Sequence, residues 1–441
     1  MFRYYLELAL HSLRRNKALT ALMVLAIALG IGASITMLTV LHNLSGNPLP
    51  QRSAVLFHPQ IDPRPSKLPG ADVEPPDNLT YVDAVNLYRL AGATRRAVMS
   101  SNWLPTRLDT NNSPMAMVTT RATTGDFFSM FDVRFIYGGG WSVQDDDRHA
   151  QVVVLSRAFN DALFAGANSV GRELVVATKT FRVVGVISDW NPQPHFYDLS
   201  GGALGGGAFG EASQMYLPFF TWLDLPQDYG HGPMRCWGND PSAGDHDPKT
   251  TRCTWAQFWV QLESTAQADA YLGTLRGYSK QQHQLGRFER VPNVRLRDLL
   301  GWLDAKQVIP VTVRMQTWIA FGVFLICMVN TVGLLVAMFL RKSGEIGLRR
   351  ALGASRGAVF TQCFIEAGVV GVGGGLFGLP LAWMGLWMVR QQPVSFAASA
   401  RLDLPMLVIA MGLAVTATLA AGVWPAWRAA RVAPAMQVKW L

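Results

Sequence analysis

The sequence predicts a membrane protein with four transmembrane α-helices and a large α+β extracytoplasmic domain inserted between helices one and two. Two observations carry this prediction. The 441 residues are 50% hydrophobic and only 16% charged, whereas soluble domains carry roughly 25% charged residues. Four long apolar runs are also separated very unevenly, because about 270 residues lie between the first and the second.

The four apolar runs are long enough to cross a bilayer, which takes about 20 residues in a helix. Three have no charged residue, and the third contains only Glu366. They are Ala18–Leu41, Met315–Leu340, Gly357–Val389 and Leu404–Trp427. The first run exceeds the roughly 7–15 apolar residues of a signal peptide, so we expect an uncleaved span. The five glycines of 371–378 allow either close helix packing or a break in the third span.

The distribution of charge predicts the topology. Residues 43–315 carry 25 Lys and Arg against 26 Asp and Glu, whereas the rest of the chain carries 14 against 4. Twelve of those 14 cations cluster before the first span, between spans two and three, and after span four. The positive-inside rule therefore places both termini and segment 341–357 in the cytoplasm. A nucleic-acid-binding protein would need this charge on one soluble face, which the pattern does not provide.

These boundaries define the predicted organisation of the chain. It comprises a cytoplasmic amphipathic helix (1–17), transmembrane helix 1 (18–42), an extracytoplasmic α+β domain (43–314), transmembrane helix 2 (315–340), a cytoplasmic helix (341–357), transmembrane helix 3 (358–389), a short extracytoplasmic loop (390–403), transmembrane helix 4 (404–427) and a cytoplasmic tail (428–441).

The middle of the outer domain alternates between strand-like and helical patterns. The run 117–140 predicts a strand, a turn at Gly125–Asp126 and a second strand. In 151–164, a β-branched run precedes a short helix, with Ser156 as its N-cap. The glycine-rich run 199–210 neither opens a helix nor carries the Lys-Ser/Thr of a phosphate-binding loop, so we expect a flexible external loop.

Two cysteines in the outer domain, Cys236 and Cys253, predict a disulfide, because disulfides persist outside the cytoplasm. His231 and His246 lie nearby, but the spacing matches no standard zinc pattern. No Walker A sequence and no nucleophile elbow occur, so we expect no catalytic, cofactor or metal residue in this chain.

The segment 341–357, RKSGEIGLRRALGASRG, predicts a short amphipathic helix between two spans. Ile346, Leu348 and Leu352 are assigned to one apolar face, and Glu345–Arg349 is a favourable i,i+4 pair. The helix can serve as a membrane-surface anchor, as a topology signal, or as a docking helix for a cytoplasmic partner. Glu366, an acid within a span, is a functional candidate that either orients this helix or takes part in transport.

Several motifs resemble the permease subunits of the MacB/FtsX superfamily of ABC transporters. EIGLRRALGASRGAVFTQCFIEA (345–367) is similar to the family signature between spans two and three, and WPAWRAARVAPAMQVKWL to its tail. TTGDFFSMFDVRFIYGGGWSVQDDD and VVVLSRAFNDALFAGANSVGRELVVATKTFRVVGVISD resemble its periplasmic core domain. The resemblance implies that 43–314 is a periplasmic core domain with stalk ends and that 390–403 is a periplasmic loop. The sequence departs from the family at Gly138–Trp141, and 199–210 and 222–255 look like insertions.

The resemblance implies a permease in the bacterial inner membrane that couples ATP hydrolysis by a separate ATPase to periplasmic conformational change, for export or efflux by mechanotransmission. An alternative is an FtsX-like or LolC/E-like role, regulating a periplasmic enzyme or extracting lipoproteins. The implied partners are a cytoplasmic ATPase dimer, which would hold ATP and Mg, a second permease copy or paralogue, and a periplasmic adaptor. The implied ATPase-docking residues are Glu345, Ile346, Gly347, Leu348, Arg349, Arg350, Ala351, Leu352, Gly353 and Ala354.

Overall fold

The structure is a computed structural model of the chain. It describes residues 2–66, 74–108, 115–199, 207–226, 234–237, 247–290, 292–392, 396–397 and 404–431. The chain divides into two compact units. Unit 1 comprises Met1–Ser45 and Ile309–Leu441, and unit 2 comprises Gly46–Val308.

The helices and strands follow in chain order. The helices are α1 (Phe2–Arg15), α2 (Lys17–Leu44), α3 (Tyr81–Arg89), α4 (Asp126–Met130), α5 (Val143–Asp147), α6 (Arg157–Phe164), α7 (Phe219–Trp222), α8 (Thr265–Gln284), α9 (Leu299–Ala305), α10 (Val311–Arg341), α11 (Ser343–Ala351), α12 (Arg356–Arg390) and α13 (Leu404–Ala430). The strands are β1 (Leu56–Ile61), β2 (Arg95–Leu108), β3 (Ala116–Thr123), β4 (Phe135–Gly138), β5 (Val152–Ser156), β6 (Glu173–Val176), β7 (Lys179–Ile187), β8 (Met215–Pro218), β9 (Gln257–Gln261) and β10 (Val294–Asp298).

Unit 1 contains the apolar helices. Within the described residues, α2, α10, α12 and α13 are long and apolar enough to cross a membrane, with 28, 31, 35 and 27 residues. At about 1.5 Å per residue, each exceeds the roughly 30 Å of a bilayer core, and a helix satisfies its own backbone groups there. Large apolar side chains such as Trp318, Leu325 and Phe377 are exposed on these helices, as lipid contact requires.

The glycine-rich part of the third apolar run is a site of close packing rather than a break. Helix α12 is continuous through it. A Cβ atom on Gly371 would lie 1.8 Å from Thr418 Oγ1 of α13, and one on Gly374 would lie 2.3 Å from Ile27 Cγ2 of α2. Because only glycine leaves room for such close contact, α12 can pack against both neighbours at once.

Unit 2 is built on one sheet, which has ten strands in the described residues. Their order is β10-β1-β9-β2-β3-β8-β5-β7-β4, with β6 pairing with β2 and β7. Most pairs are antiparallel, but β3–β8 and β5–β7 are parallel. This mixture of strands with short helices is the α+β domain that the sequence predicts.

Both faces of the sheet are covered by apolar packing. In β5, Val153 and Leu155 belong to one hydrophobic cluster, which α3 and α8 help to form. Val152 and Val154 belong to the other cluster, which is rich in aromatic rings from α4, α9 and the turn at 196–198. The alternation follows from the two-residue period of a strand, and it explains why β5 is apolar from Val152 to Leu155.

Two local predictions concern the starts of short helices. Ser156 caps α6, because its Oγ accepts a hydrogen bond from the Phe159 N–H at 3.2 Å. The predicted turn is present at Gly125, but α4, which the sequence did not predict, begins at Asp126. A helix lets Phe127, Phe128 and Met130 all reach the aromatic cluster, and this burial stabilises it.

Candidate functional site

The candidate site is α11 together with the residues that hold it. One residue, Lys342, separates the end of α10 from the start of α11, and its backbone is not helical. Beyond the helix, Gly353 has φ +101°, a left-handed conformation that favours glycine. Ser355 then caps α12 by accepting a hydrogen bond from the Ala358 N–H at 3.1 Å. With such short connections on both sides, α10 and α12 determine where α11 lies.

The apolar residues of α11 do not share one face, so the sequence-based assignment was wrong. Ile346 is buried in the core of unit 1, with 6% of its surface exposed. Leu348 and Leu352, the C-terminal cap residue that follows Ala351, are 63% and 80% exposed. The reason is helical geometry. Leu348 follows Ile346 by two positions, and at 3.6 residues per turn two positions correspond to a rotation of about 200° around the helix axis. The helix therefore has one buried anchor and two exposed leucines on the other side.

The arginines of α11 tie it to its neighbours. Arg349 pairs with Glu345 at 2.9 Å, as the i,i+4 spacing predicts, and Arg349 Nη1 also donates to Gln362 Oε1 of α12 at 3.1 Å. Arg350 Nη1 donates to the carbonyl oxygen of Ala430, the last residue of α13, at 3.3 Å. These contacts hold α11 against the ends of two apolar helices.

Glu366 lies next to the start of α11. Its side chain is 1% exposed, and its Oε2 accepts from Lys342 Nζ at 2.9 Å. Lys342 Nζ also donates to Ser12 Oγ of α1. One ammonium group thus joins α1, the junction of α10 with α11, and the interior of α12.

Sequence reasoning identified Glu366 but missed Lys342 as its partner and Ser12 as the second partner of Lys342. Lys342 was counted only as a topology charge, and Ser12 carried no signal because it lies 330 residues away. A usable signal for Lys342 did exist. A buried acid in a span requires a cation nearby, and Lys342 is one of few at that end.

In unit 2, Cys236 and Cys253 form the disulfide that the sequence predicts, with their Cα atoms 4.3 Å apart. His231 and His246, considered above as additional metal ligands, lie outside the described residues. Among the residues that the structure describes, no group of three or more His, Cys, Asp or Glu side chains is arranged to hold a metal ion.

A buried ion pair in the sheet of unit 2 was not predicted. Arg121 Nη2 lies 2.6 Å from Asp198 Oδ2, which also accepts from Ser101 Oγ at 2.6 Å, while Gln257 donates to Oδ1. Burial alone would raise the pKa of Asp198. The Arg121 charge and these hydrogen bonds lower it by more than burial raises it, so the pKa of Asp198 is below its usual value. The guanidinium also lies 4.5 Å from the Tyr197 ring. The network fastens the turn at 196–198 to three strands.

Similarity to solved structures is weak. The periplasmic region of MacB from Actinobacillus actinomycetemcomitans is 15% identical, with a TM-score of 0.34, and covers 57% of this chain and 94% of that one. The extracellular domain of the noncanonic ABC-type transporter YknZ from Gram-positive bacteria is 13% identical, with a TM-score of 0.33, and covers 54% and 99%.

Curated relatives match over nearly the whole chain. The macrolide export ATP-binding/permease protein MacB of Azoarcus sp. strain BH72 is 24% identical over 97% of this chain and 58% of its own length. The protein of the same name from Syntrophobacter fumaroxidans is 23% identical over 100% of this chain and 64% of its own length. The chain therefore spans less than two thirds of the length of these relatives.

Two family models match successive parts of the chain. The model of the MacB-like periplasmic core domain matches residues 20–278, which is more than half of the chain. The model of the FtsX-like permease C-terminal region matches residues 318–434, which include α11 and Glu366. With four candidate membrane-spanning helices and a large extracytoplasmic α+β domain inserted in the chain between the first and the second, the chain belongs to the MacB/FtsX family of ABC transporter permeases.

Proposed function

We propose that this chain couples ATP hydrolysis by a separate ATPase subunit to conformational change outside the membrane, for export or efflux. The observation that carries the proposal is the exposure of Leu348 and Leu352 on a helix held on its other side by Ile346. An exposed pair of leucines on an anchored helix suits the groove of a protein partner. The relatives named above as ATP-binding/permease proteins support an ATPase as that partner.

The contacts of α11 support a mechanical role. A force on Leu348 and Leu352 would reach α12 through Lys342–Glu366 and Arg349–Gln362, and α13 through Arg350. Helices α2 and α10 are the segments by which the chain continues into unit 2. We infer that motion of the apolar helices passes along them to the outer domain, so that work is done there. In this proposal ATP and Mg bind to the partner and not to this chain.

The charge pattern supports the orientation. We infer that both termini lie on the cytoplasmic side of a bacterial inner membrane and that 43–314 lies in the periplasm. The basic residues around α11, near the start of α2 and near the end of α13 support this orientation through the positive-inside rule. A dimeric ATPase would require two permeases, either two copies of this chain or this chain and a paralogue. A periplasmic adaptor is a further proposed partner. The second candidate is an FtsX-like or LolC/E-like function, in which the same helix α11 docks the ATPase and only the target of the outer domain differs. The match of 318–434 to the FtsX-like model supports this candidate.

The docking proposal is tested with Leu348→Asp and Leu352→Asp. A buried leucine contributes about 1.5–3 kcal/mol to a contact, so each substitution should weaken binding of the ATPase tenfold or more. Leu285→Asp is the matched control, because Leu285 is 71% exposed but belongs to unit 2. The measurement is co-purification of the co-expressed ATPase with the full chain. If both variants retain the ATPase as well as the control does, α11 is not the docking site.

The output is tested separately. Deleting the gene and measuring macrolide or peptide efflux, lipoprotein sorting and cell-wall hydrolysis distinguishes the two candidates. Loss of efflux alone supports export, whereas a change in sorting or wall hydrolysis with normal efflux supports the second candidate.

A further inference from the structure

A cavity of about 630 Å³ lies between α1 and α11 in unit 1. It is open on one side and bordered by the last residue of α10 and the first turns of α12. Its walls carry four cations and two carboxylates, which are Arg15, Arg341, Lys342, Arg349, Glu7 and Glu345. The cavity is therefore a polar pocket at the end of a bundle of apolar helices.

The charges in the walls do not cancel. Glu7 is engaged by Arg3 at 3.2 Å, and Glu345 is engaged by Arg349 at 2.9 Å. Arg15 lies 4.0 Å from Glu345 and is 80% exposed. At this distance and exposure the ion pair contributes little. The carboxylates thus leave an excess of positive charge in the cavity.

Arg341 has the weakest ion pairing of the four cations. Lys342 is paired with Glu366 at 2.9 Å, and Arg349 with Glu345. Arg341 is exposed and forms no ion pair with any residue in the part of the chain that the structure describes. Two guanidinium groups, those of Arg15 and Arg341, therefore remain able to bind an anion. Guanidinium groups bind phosphate oxygens well because they can donate two hydrogen bonds at once.

The two arginines lie at or beside the ends of apolar helices. Arg15 ends α1, two residues before α2 begins at Lys17, and Arg341 ends α10. Both apolar helices are candidates for spanning the membrane, and a bilayer that they span would have its phosphates near their ends, where these arginines lie. Leu340, beside Arg341, is 53% exposed and offers apolar surface for an acyl chain. Basic pockets between spans on the cytoplasmic side are suited to anionic headgroups.

We propose that this cavity binds the phosphodiester of an anionic phospholipid such as phosphatidylglycerol, with Arg15 and Arg341 as the phosphate donors. Glu345 of α11 forms part of the wall, so a bound lipid would contact the same helix on which we propose that the ATPase docks. The binding itself does not depend on the ATPase proposal and is measured on the permease alone. A free phosphate ion has the same chemistry without the acyl chains, and the experiment distinguishes the two.

The test is native mass spectrometry of the full chain, purified in detergent and titrated with dioleoylphosphatidylglycerol or dioleoylphosphatidylcholine. We expect phosphatidylglycerol to bind at least fivefold more tightly. Arg15→Gln/Arg341→Gln should reduce its apparent affinity about thirtyfold, since each cation near an anionic lipid contributes about a factor of five. Arg15→Lys/Arg341→Lys should retain most of the preference, because it retains the charge.

The matched control is Arg356→Gln/Arg428→Gln, which also removes two exposed arginines from unit 1 but none from the cavity walls. It should bind phosphatidylglycerol like the unmodified chain. Equal binding of the two lipids by the unmodified chain would overturn the proposal, and so would equal loss in both glutamine variants. Displacement of phosphatidylglycerol by 10 mM inorganic phosphate would show that the site takes a free phosphate, and would overturn the lipid assignment.

Discussion

The ammonium nitrogen of Lys342 lies 2.9 Å from a carboxylate oxygen of Glu366, whose side chain is 1% exposed. Lys342 immediately precedes α11, and Glu366 is in the third turn of α12. The pair therefore links the short connecting helix to the interior of an apolar helix by a charge contact rather than by the backbone. A buried acid is costly unless it is paired, so each residue of this pair requires the other.

A double-mutant cycle tests this dependence. We expect Lys342→Met and Glu366→Leu each to lower the stability of the chain by about 3–5 kcal/mol, because each leaves one buried charge unpaired. The double variant should recover most of that loss, since an apolar pair can replace a buried ion pair of similar volume. The measurement is thermal unfolding in detergent. Ser12→Ala is the control for the second contact of Lys342. Additive losses in the double variant would show that the two residues act independently.

Glycine substitutions test the packing of α12. Gly371→Ala should destabilise the chain by about 1–3 kcal/mol, because its Cβ would lie 1.8 Å from Thr418 Oγ1. Gly412→Ala is the matched control in α13, where an added Cβ meets nothing within 4 Å. There the higher helix propensity of alanine should leave stability unchanged or raise it by up to about 1 kcal/mol. Thermal unfolding in detergent measures both, and equal effects at the two positions would contradict the packing described here.

The pH dependence of unit 2 should reflect two buried histidines. Burial lowers the pKa of both His58 and His195 to about 4 from 6.5. Between pH 4 and 6.5 the unfolded chain binds protons that the folded chain does not, so stability falls as the pH decreases through this range. Asp146 opposes this trend, because burial raises its pKa to about 7 and the folded chain keeps a proton there. Two histidines against one aspartate leave a net loss of stability toward low pH.

Removing both histidines isolates their contribution. His58→Gln/His195→Gln should reduce the dependence of unfolding on pH between 4 and 6.5, because neither amide titrates in that range. A glutamine at position 58 can still donate to the carbonyl oxygen of Asp77, which His58 Nε2 contacts at 2.9 Å. Urea unfolding of the full chain in detergent at several pH values measures the slope. An unchanged slope in the double variant would assign the pH dependence to other groups.

The part of the candidate site that lies within one helical turn was accessible from the sequence. The pair Glu345–Arg349 follows from i,i+4 spacing, and the structure places its atoms 2.9 Å apart. The position of the short helix also follows from its place between two apolar runs. Helical geometry separates Ile346 from Leu348 by about 200°, so the sequence excludes a face shared by these two residues. Which of the two is buried did not follow, because that depends on the helices that pack against α11.

Contacts between distant residues were not accessible. Arg121 meets Asp198 across 77 residues, and Lys342 meets Ser12 across 330. The first contact depends on the turn at 196–198 packing on β2, β3 and β9, and the second on α1 packing beside α11. The patterns in a single sequence involve residues close together in the chain, so they do not show which distant residues are in contact.

The sequence by itself determined the number of long apolar helices, the insertion of an α+β domain after the first, and the end of the bundle that carries positive charge. Hydropathy and charge are properties of individual residues summed over a window, so the order of the chain is enough to establish them. The tertiary structure alone decided which α11 leucines are exposed, how Lys342 satisfies Glu366, and that Arg15 and Arg341 border one cavity. Those outcomes depend on which helices pack together, and the packing free energy is shared among side chains that lie far apart in the sequence.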